Sequence, residues 1–408
     1  MPLTRRQIYR RRRTVVFGGA AVALATAFYL PITLLAPLHD AVPVELSVAT
    51  PAVEQPTLDF PEYGASGLGA IGYPGVLAQG GVTDPLPIAS ISKVVTALVV
   101  LDAKPLAPGE SGPDLTFSSV DEDFYNEQVA QNGVVASVSA GQVMSQRNVM
   151  SLMLMASANN YAQSLAAWAF GSEAAYVDAA RDWLARQGLT GTTIADATGI
   201  NPANASTVPD LITLAKLAIA DPVVSEIVGT ANLEIPDIGL VENRNGLLGV
   251  DGVDGIKTGT LDEAGSCLLF SAEHTVGAST VTLVGVVLGG PDHSTINAAV
   301  RGLLAQADAG FREVTLTTEG DAFAQYDTPW GDTAEAVAAQ TTTALVWSNA
   351  PVTVDVEVDP VRLAPAGTGV GTAVFAFGDQ QVSVDLDLDA TIDDPGPWWR
   401  LTNPTRLF

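Results

Sequence analysis

The feature that most constrains the fold is a run of mostly apolar residues in the stretch PIASISKVVTALVV, residues 87–100. As a helix, this run is apolar nearly all round, whereas a surface helix keeps one polar face. Other elements must therefore cover it on every side. The run predicts a central helix in a large domain, and a chain of 408 residues with 47% hydrophobic content can supply one.

One lysine lies at the start of this apolar run. Lys93 directly precedes the run, and burying a charged ammonium is strongly unfavourable unless the group is paired or gives up its proton. In one interpretation, Lys93 lies in an exposed first turn and extends its ammonium to water. In the other, Lys93 is buried and meets partners from elsewhere in the chain.

Charge and cysteine content exclude several functions. A net charge of −26 argues against a nucleic-acid partner, because a polyanion would be repelled. The single cysteine, Cys267, allows no internal disulfide, and His39, His274 and His293 are scattered without the spacing of metal ligands. We therefore expect neither a metal nor another cofactor.

The amino terminus predicts a membrane segment. Six arginines lie among residues 1–13, and residues 14–37 contain no charged side chain. A helix of about 20 apolar residues spans the hydrocarbon core of a bilayer. Arginines before the segment and acidic residues after it predict a cytoplasmic amino end and an extracellular body. We favour an uncleaved anchor in the cell membrane; the alternative is a cleaved signal and a secreted protein.

Composition and periodicity divide the chain into six segments. They are a basic cytoplasmic tail (1–13), a transmembrane signal anchor (14–37), a proline-rich linker (38–63), a main domain (64–310), a β-rich domain (311–394) and a tail (395–408). The main domain alternates apolar strands with helices, and its runs SCLLFSA and STVTLVGVVLG should pair as antiparallel neighbours. Alternating polarity predicts a small β-sandwich for the β-rich domain.

Three short motifs occur in order along the main domain. They are Ser90-Ile91-Ser92-Lys93, Ser157-Ala158-Asn159 and Lys257-Thr258-Gly259. Each is weak alone, but the ordered set S-x-x-K, S-x-N and K-T-G is the signature of penicillin-binding proteins and serine β-lactamases. The chain has only four lysines, and two of them belong to these motifs.

The first motif has the spacing of a nucleophile and its base. Residues three apart on a helix share a face, so Ser90 lies beside Lys93, whereas Ser92 projects about 100° away. A neighbouring lysine can take the serine proton when burial and nearby cations lower its pKa. We predict that Ser90 attacks a carbonyl carbon with Lys93 as its base. Backbone N–H groups of Ser90 and Thr260 would stabilise the oxyanion.

The other two motifs predict proton transfer and substrate binding. Ser157 follows an apolar helix, where its hydroxyl can pass a proton to the leaving nitrogen, and the Asn159 amide can hydrogen-bond a substrate peptide. The alternative is that both residues only cap the next helix. Lys257 and Thr258 offer a positive charge and a hydroxyl to a terminal carboxylate. The predicted substrate-binding residues are Asn159, Lys257, Thr258, Gly259 and Thr260.

From about Ile88 to Ala272 the sequence resembles the low-molecular-weight penicillin-binding proteins, in particular the serine D-Ala-D-Ala carboxypeptidases. SLMLMASANNYAQSLA resembles the family's S-x-N helix–loop–helix, and VENRNGLLGVDGVDGIKTGTLDEAGSCLLFSA resembles its K-T-G strand with the paired strand. The resemblance implies an α/β fold of the β-lactamase/DD-peptidase type. That fold has an antiparallel sheet flanked by helices, a helical subdomain, an active site in the cleft between them, and often a carboxy-terminal β-domain.

The resemblance also implies an activity. The expected enzyme acts on peptidoglycan stem peptides through an acyl-enzyme, and β-lactam antibiotics inhibit it. Two alternatives stay open. A β-lactamase would share these residues and need a glutamate between S-x-N and K-T-G, where Glu173 lies on an apparent helix. A non-catalytic wall-binding or β-lactam-sensing protein would keep the pocket without turnover.

Overall fold

The computed structural model describes residues 5–47, 57–277, 279–348 and 351–408. The chain forms two compact units. The terminal unit comprises Met1–Ala52, Glu313–Ala344 and Pro351–Phe408, and the main unit comprises Val53–Arg312 and Leu345–Ala350. The helices are α1 Arg5–Leu34, α2 Ser92–Ala103, α3 Ser119–Ala130, α4 Gln146–Leu154, α5 Asn159–Phe170, α6 Glu173–Arg186, α7 Val208–Ala220, α8 Pro222–Val228, α9 His293–Gln306 and α10 Gly396–Thr402. Short 3-10 helices are Ala89–Ile91, Ala307–Ala309 and Pro404–Arg406.

Nineteen strands are described. They are β1 Val44–Glu45, β2 Ala65–Ala70, β3 Ala78–Gly81, β4 Leu86–Pro87, β5 Asp114–Thr116, β6 Val143–Ser145, β7 Ala205–Ser206, β8 Asn232–Ile235, β9 Gly239–Glu242, β10 Val253–Leu261, β11 Gly265–Val276, β12 Ser279–Gly290, β13 Phe311–Thr317, β14 Ala322–Asp327, β15 Thr333–Ala338, β16 Thr342–Trp347, β17 Val352–Val358, β18 Gly369–Phe377 and β19 Gln380–Leu388.

A five-stranded antiparallel sheet forms the centre of the main unit, in the order β10–β11–β12–β2–β3. β11 and β12 pair antiparallel, which confirms the pairing predicted for the two neighbouring apolar runs. β10 is an edge strand, with Lys257 opposite Leu269 and Gly259 opposite Cys267 of β11. Among the described strands, no other lies along the outer edge of β10.

Helices cover both faces of this sheet. Because successive strand residues point to opposite faces, Cys267 and Leu269 join the core that contains α2, α4, α5 and α7. Leu268 and Phe270 join the core that contains α9. All four side chains are fully buried. Burial on both faces of the sheet explains why the sequence of β11 is an almost continuous apolar run.

α2 is the central helix that the apolar run predicted. Every residue from Ser92 to Leu101 is buried. Close-packed neighbours on all sides fix the position of such a helix, because protein interiors leave little room for displacement. The first turn of α2, which carries Lys93, is therefore held in one place.

β2 is rich in glycine because α7 packs directly on it. A Cβ atom on Gly67 would lie 2.3 Å from Val208 Cγ1, and one on Gly69 would lie 2.5 Å from Ile212 Cγ2. Side chains at these two positions would push α7 away from the sheet. The glycines thus allow the helix and the strand to pack closely.

The terminal unit contains a six-stranded antiparallel sheet in the order β1–β14–β15–β19–β18–β17. β13 and β16 form a separate pair. The carboxy-terminal β-rich domain was thus predicted correctly, but alternating polarity does not indicate how strands divide between sheets.

The predicted linker, 38–63, needs a correction at its start, because Val44–Glu45 pairs with β14. Residues 48–56 of that linker lie outside the described residues.

α1 covers most of the predicted basic tail and all but the last residues of the predicted membrane segment. It is 30 residues long. Its most apolar window has a mean hydropathy of 1.9 and is not buried. Length and composition suffice for a membrane anchor, and a signal sequence has the same features.

Candidate active site

Ser90 and Lys93 lie next to each other at the start of α2. Ser90 is the middle residue of the 3-10 helix Ala89–Ile91, which leads directly into α2. The Ser90 Oγ and Lys93 Nζ atoms are 2.9 Å apart. Lys93 has a relative exposure of 0%. The interpretation of Lys93 as a surface lysine that reaches water is therefore wrong.

Three oxygen atoms surround the Lys93 amino group. Besides Ser90 Oγ, they are Asn159 Oδ1 at 2.7 Å and the Thr198 carbonyl oxygen at 2.5 Å. An uncharged amine has two N–H donors and one lone pair. Asn159 and Thr198 match the two donors, so the lone pair is left for the Ser90 hydroxyl.

The electrostatic surroundings favour the uncharged form of Lys93. Burial lowers the pKa of Lys93 well below its usual value. The positive charges of Lys257 and Arg244 lower this pKa further, and Asp196 acts in the opposite direction. An uncharged lysine beside a serine hydroxyl can accept its proton.

The S-x-N motif lies in the turn between α4 and α5. The N-cap of α5 is Ala158, and it makes no side-chain capping hydrogen bond. The interpretation of Ser157 and Asn159 as mere helix caps is therefore not supported. Ser157 has a φ of 62°, a conformation that few residues other than glycine adopt. Such backbone conformations persist where the surroundings enforce them, and they cluster at functional sites.

Asn159 is almost fully buried, with an exposure of 5%. Its Oδ1 accepts a hydrogen bond from Lys93, and its Nδ2 donates to Gln128 Oε1 at 2.7 Å. The sequence predicted a substrate contact for this amide. The structure joins the amide to the lysine on one side and to a buried glutamine on the other, and the substrate contact stays a prediction.

β10 carries the K-T-G motif past the start of α2. A Cβ atom on Gly259 would lie 3.0 Å from the Ile88 carbonyl oxygen and 3.4 Å from the Ser90 backbone nitrogen. These contacts leave too little room for a side chain unless its neighbours move. Glycine therefore lets the edge of β10 lie against the backbone that carries Ser90.

Lys257 belongs to the edge strand β10, and its side chain is buried. Its exposure is 2%, and its Nζ donates to the Thr258 carbonyl oxygen at 2.9 Å. Burial and, to a smaller extent, the charge of Arg244 lower the pKa of Lys257 to about 7. Lys257 is therefore only partly protonated at neutral pH.

A cleft of about 310 Å³ brings the three motifs together. The residues that line it are Ser90, Val134, Ser157, Arg244, Thr258, Gly259, Thr260 and His293. Five of the eight predicted site residues are in this lining. The other three, Lys93, Asn159 and Lys257, are buried.

Two polar residues of the cleft were not predicted. Arg244 follows β9, and its segment ENRNGLLG resembles the family, so a signal for it was present. His293 begins α9, and its Nε2 lies 2.7 Å from Thr260 Oγ1. Burial and the nearby charge of Lys257 lower the pKa of His293. It escaped prediction because 33 residues separate it from Thr260 and no motif contains it.

The chemistry available in this cleft is acyl transfer by a serine. Ser90 is the nucleophile candidate, Lys93 is the adjacent base candidate, and Arg244 adds a permanent positive charge. No described lining residue is Asp or Glu. The described part of the chain contains no group of three or more potential metal ligands. A serine hydroxyl beside a buried lysine is the arrangement expected of active-serine enzymes that use lysine as the base.

The chain belongs to the D-alanyl-D-alanine carboxypeptidase family. The family model with this description matches residues 74–292, slightly more than half of the 408-residue chain. The matched region contains all three motifs. The family resemblance predicted from them is confirmed.

Two curated relatives are D-alanyl-D-alanine endopeptidases. The protein from Pseudomonas aeruginosa is 32% identical over 206 residues, which are 49% of this chain and 63% of the relative. The protein from Escherichia coli K12 is 31% identical over 190 residues, which are 45% of this chain and 58% of the relative. The chain thus spans about six tenths of the length of these relatives.

A solved structure confirms the predicted fold class. Penicillin binding protein 5 from Haemophilus influenzae has a TM-score of 0.58 at 20% identity. The comparison covers 85% of this chain and 100% of that chain. At this level of identity, the similarity establishes the fold alone.

Proposed function

We propose that this protein is a serine D-Ala-D-Ala carboxypeptidase that releases the terminal D-alanine from peptidoglycan stem peptides. The observation that supports this most is the buried Lys93 amine, 2.9 Å from the Ser90 hydroxyl. The cleft supplies the chemistry of acyl transfer, and family membership supplies the substrate class.

Acylation begins with a proton transfer from Ser90. Lys93 donates its N–H groups to Asn159 and Thr198, and its lone pair accepts the Ser90 proton. As the Ser90 oxygen bonds to the carbonyl carbon of the penultimate D-alanine, the carbonyl oxygen becomes an oxyanion. Backbone N–H groups of Ser90 and Thr260 stabilise the negative charge that develops there.

The tetrahedral intermediate breaks down when the leaving nitrogen gains a proton. Ser157 passes that proton from Lys93 to the nitrogen, the C–N bond breaks, and free D-alanine departs. Ser90 then carries the shortened peptide as an ester. Water attacks the ester with Lys93 again as base, which releases the peptide and restores the Ser90 hydroxyl.

Arg244 and Lys257 bind the terminal carboxylate in this proposal. Arg244 lines the cleft, and its planar guanidinium can bind a carboxylate with two N–H groups. Lys257 is buried and has a pKa of about 7, so its charge depends on pH. Thr258 and the His293–Thr260 pair line the same cleft and complete the polar surroundings of the substrate.

The preference for a free terminal carboxylate should fall as the pH rises through about 7. Lys257 loses its proton there, because its pKa is about 7 in the free protein. The measurement is kcat/KM, which reports ionisations of the free enzyme, for one peptide with a free acid end and one with an amide end. The acid-to-amide ratio should decrease above neutral pH and level off at the value that Arg244 alone sustains.

Two variants separate the contributions to this ratio. Lys257→Met should make the ratio independent of pH. Arg244→Gln should lower the ratio on the order of tenfold or more and move its pH dependence to higher pH, because the Arg244 charge lowers the pKa of Lys257. A flat wild-type ratio would contradict the role of Lys257, and an unchanged ratio in Arg244→Gln would contradict that of Arg244.

Release of D-alanine tests the proposed function directly. The full chain, incubated with a peptide that ends in D-Ala-D-Ala, should release free D-alanine, and the Ser90→Ala variant should release none. Free D-alanine is measured by an amino-acid oxidase assay. Stable penicillin labelling without D-alanine release would instead support the non-catalytic, β-lactam-sensing alternative.

An endopeptidase is the second candidate, because the two relatives above carry that name. Such an enzyme cuts the bond that joins two stem peptides. The same preparation is therefore tested on a cross-linked peptide dimer. Cleavage of the dimer at a higher kcat/KM than D-alanine release would assign the endopeptidase activity.

The β-lactamase alternative depended on Glu173, and the structure gives it little support. Glu173 Oε1 accepts a hydrogen bond from the Ala197 N–H at 3.1 Å, and Glu173 is not among the described residues that line the cleft. A water beside the Ser90 ester would therefore lack this carboxylate as its base. We expect β-lactams to act as inhibitors that leave a slowly hydrolysed ester on Ser90.

We further propose that α1 anchors the protein in the cell membrane with the main unit outside the cytoplasm. Its 30 residues include an exposed apolar window long enough to cross a bilayer. Arginines lie before that window, and peptidoglycan lies outside the membrane.

A further inference from the structure

A series of three buried amide side chains and one half-buried carboxylate leads from Lys93 away from the cleft. Asn159 Nδ2 donates to Gln128 Oε1 at 2.7 Å, and Gln128 Nε2 donates to Gln163 Oε1 at 3.0 Å. The side chain of Gln163 lies beside the Glu173 carboxylate and lowers the pKa of that group. These four side chains, which we call the amide series, connect α3, α5 and the start of α6.

The amide groups of this series are shielded from water. The exposure is 5% for Asn159, 1% for Gln128 and 5% for Gln163. Gly133 covers the first bond, since a Cβ atom there would lie 2.7 Å from both Asn159 Nδ2 and Gln128 Oε1. With so little access to water, each amide must find its partner within the series.

Glu173 gives the series a direction. Its carboxylate accepts a hydrogen bond from the Ala197 N–H at 3.1 Å. Gln163 Oε1 accepts from Gln128, so its NH₂ group is the end left to face the Glu173 carboxylate, whose oxygens accept hydrogen bonds when it is ionised. Burial raises the pKa of Glu173, and the Ala197 N–H and the Gln163 side chain act in the opposite direction. Each amide then presents its oxygen to the preceding NH₂ group, back to Asn159.

We propose that Gln128, Gln163 and Glu173 are positioning residues. They hold the Asn159 oxygen toward Lys93 and so leave the lone pair of Lys93 to Ser90. This inference rests on the proposed function, in which Lys93 is the base.

The reversed orientation of Asn159 would block that base. With its NH₂ group toward Lys93, Asn159 would donate to the lone pair that must accept the Ser90 proton. Lys93 would keep the same neighbours and the same burial, but it would be a weaker base. Acylation therefore depends on the direction of the amide series as well as on the residues in the cleft.

Gln128→Met tests the proposal, because methionine has a similar length and offers Asn159 no oxygen. The acylation rate constant for a chromogenic penicillin should fall on the order of fivefold to tenfold, the scale of one lost hydrogen bond. The dissociation constant of the non-covalent complex should stay unchanged, because Gln128 does not line the cleft. In this variant Asn159 can turn its NH₂ group toward the Lys93 lone pair, which lowers the pKa of Lys93. The acid limb of the pH profile of the acylation rate constant should therefore move to lower pH.

Gln128→Glu is the conservative rescue. When protonated, the new carboxyl group can accept from Asn159 with one oxygen and donate to Gln163 with its hydroxyl. Acylation should therefore return to within about twofold of the wild type at the acid end of the range, the margin left by two intact hydrogen bonds.

Gln146→Met is the matched control. Gln146 is also fully buried in the main unit, and its Nε2 donates to the Lys104 carbonyl oxygen at 2.9 Å. This variant should keep the wild-type acylation rate constant and the wild-type pH profile, whatever it does to the melting temperature.

Three outcomes would overturn the proposal. The first is a wild-type acylation rate constant in Gln128→Met, and the second is an equal fall of this rate constant in Gln128→Met and Gln146→Met. The third is a fall in Gln128→Met that leaves the acid limb of the pH profile in place or that Gln128→Glu does not reverse. Failure of the proposed function would look different, because the wild type itself would then neither acylate nor release D-alanine.

Discussion

Replacing Ser90 with alanine is expected to abolish covalent labelling by a fluorescent penicillin. The β-lactam amide imitates the substrate, and its opened ring stays bound to the serine oxygen as an ester. Without that oxygen, the cleft offers the antibiotic only non-covalent contacts. The measurement is fluorescence of the denatured protein after electrophoresis, where only a covalent label survives.

Ser92→Ala is the control for this prediction. Ser92 is fully buried, and its Oγ has no hydrogen-bond partner among the described residues. Loss of this hydroxyl should leave the fold and the labelling largely intact. Label retained in Ser90→Ala, or lost equally in Ser92→Ala, would mean that another residue is acylated or that the region has merely unfolded.

Replacing Lys93 with alanine should slow acylation by at least ~10²-fold, in the range usual for the loss of a general base. The Ser90 hydroxyl would keep its place in the cleft but would have no amine 2.9 Å away to take its proton. Stopped-flow measurement of penicillin acylation gives the rate constant, and thermal unfolding verifies that the variant is folded.

Lys104→Ala is the matched lysine variant. Lys104 directly follows α2, and its Nζ lies 5.6 Å from the centre of the Trp168 ring. It follows the helix that carries Lys93 and is exposed, so its loss should leave the acylation rate constant unchanged. A wild-type rate in Lys93→Ala would require a different base for Ser90.

Local sequence patterns predicted the parts of the fold whose signal lies within one short segment or two adjacent segments of the chain. The apolar run after Lys93 predicted a surrounded helix, and the structure buries every residue from Ser92 to Leu101. Two apolar runs close in sequence predicted the pairing of β11 with β12. In both cases the signal lies in residues that are neighbours in the chain.

Features that depend on distant segments escaped prediction. The short strand Val44–Glu45 has no periodicity that could be recognised, and it exists because β14 offers an edge. His293 reaches the cleft only because α9 begins beside Thr260. The motif gave Gly259 a place in the substrate site, but only the backbone of Ile88 and Ser90 beside it explains why a side chain is excluded there. Such contacts are set by the folded chain as a whole.

The low pKa of Lys257 links folding of the main unit to proton release. An unfolded lysine holds its proton up to the ordinary pKa of 10.5, whereas the folded protein releases it above about 7. Between these values the unfolded chain binds more protons, so this group makes the folded state more stable as the pH rises. Buried Lys93, whose pKa is also lowered, acts in the same direction. Acidification therefore favours the unfolded chain through the same two amines whose pKa values burial lowers.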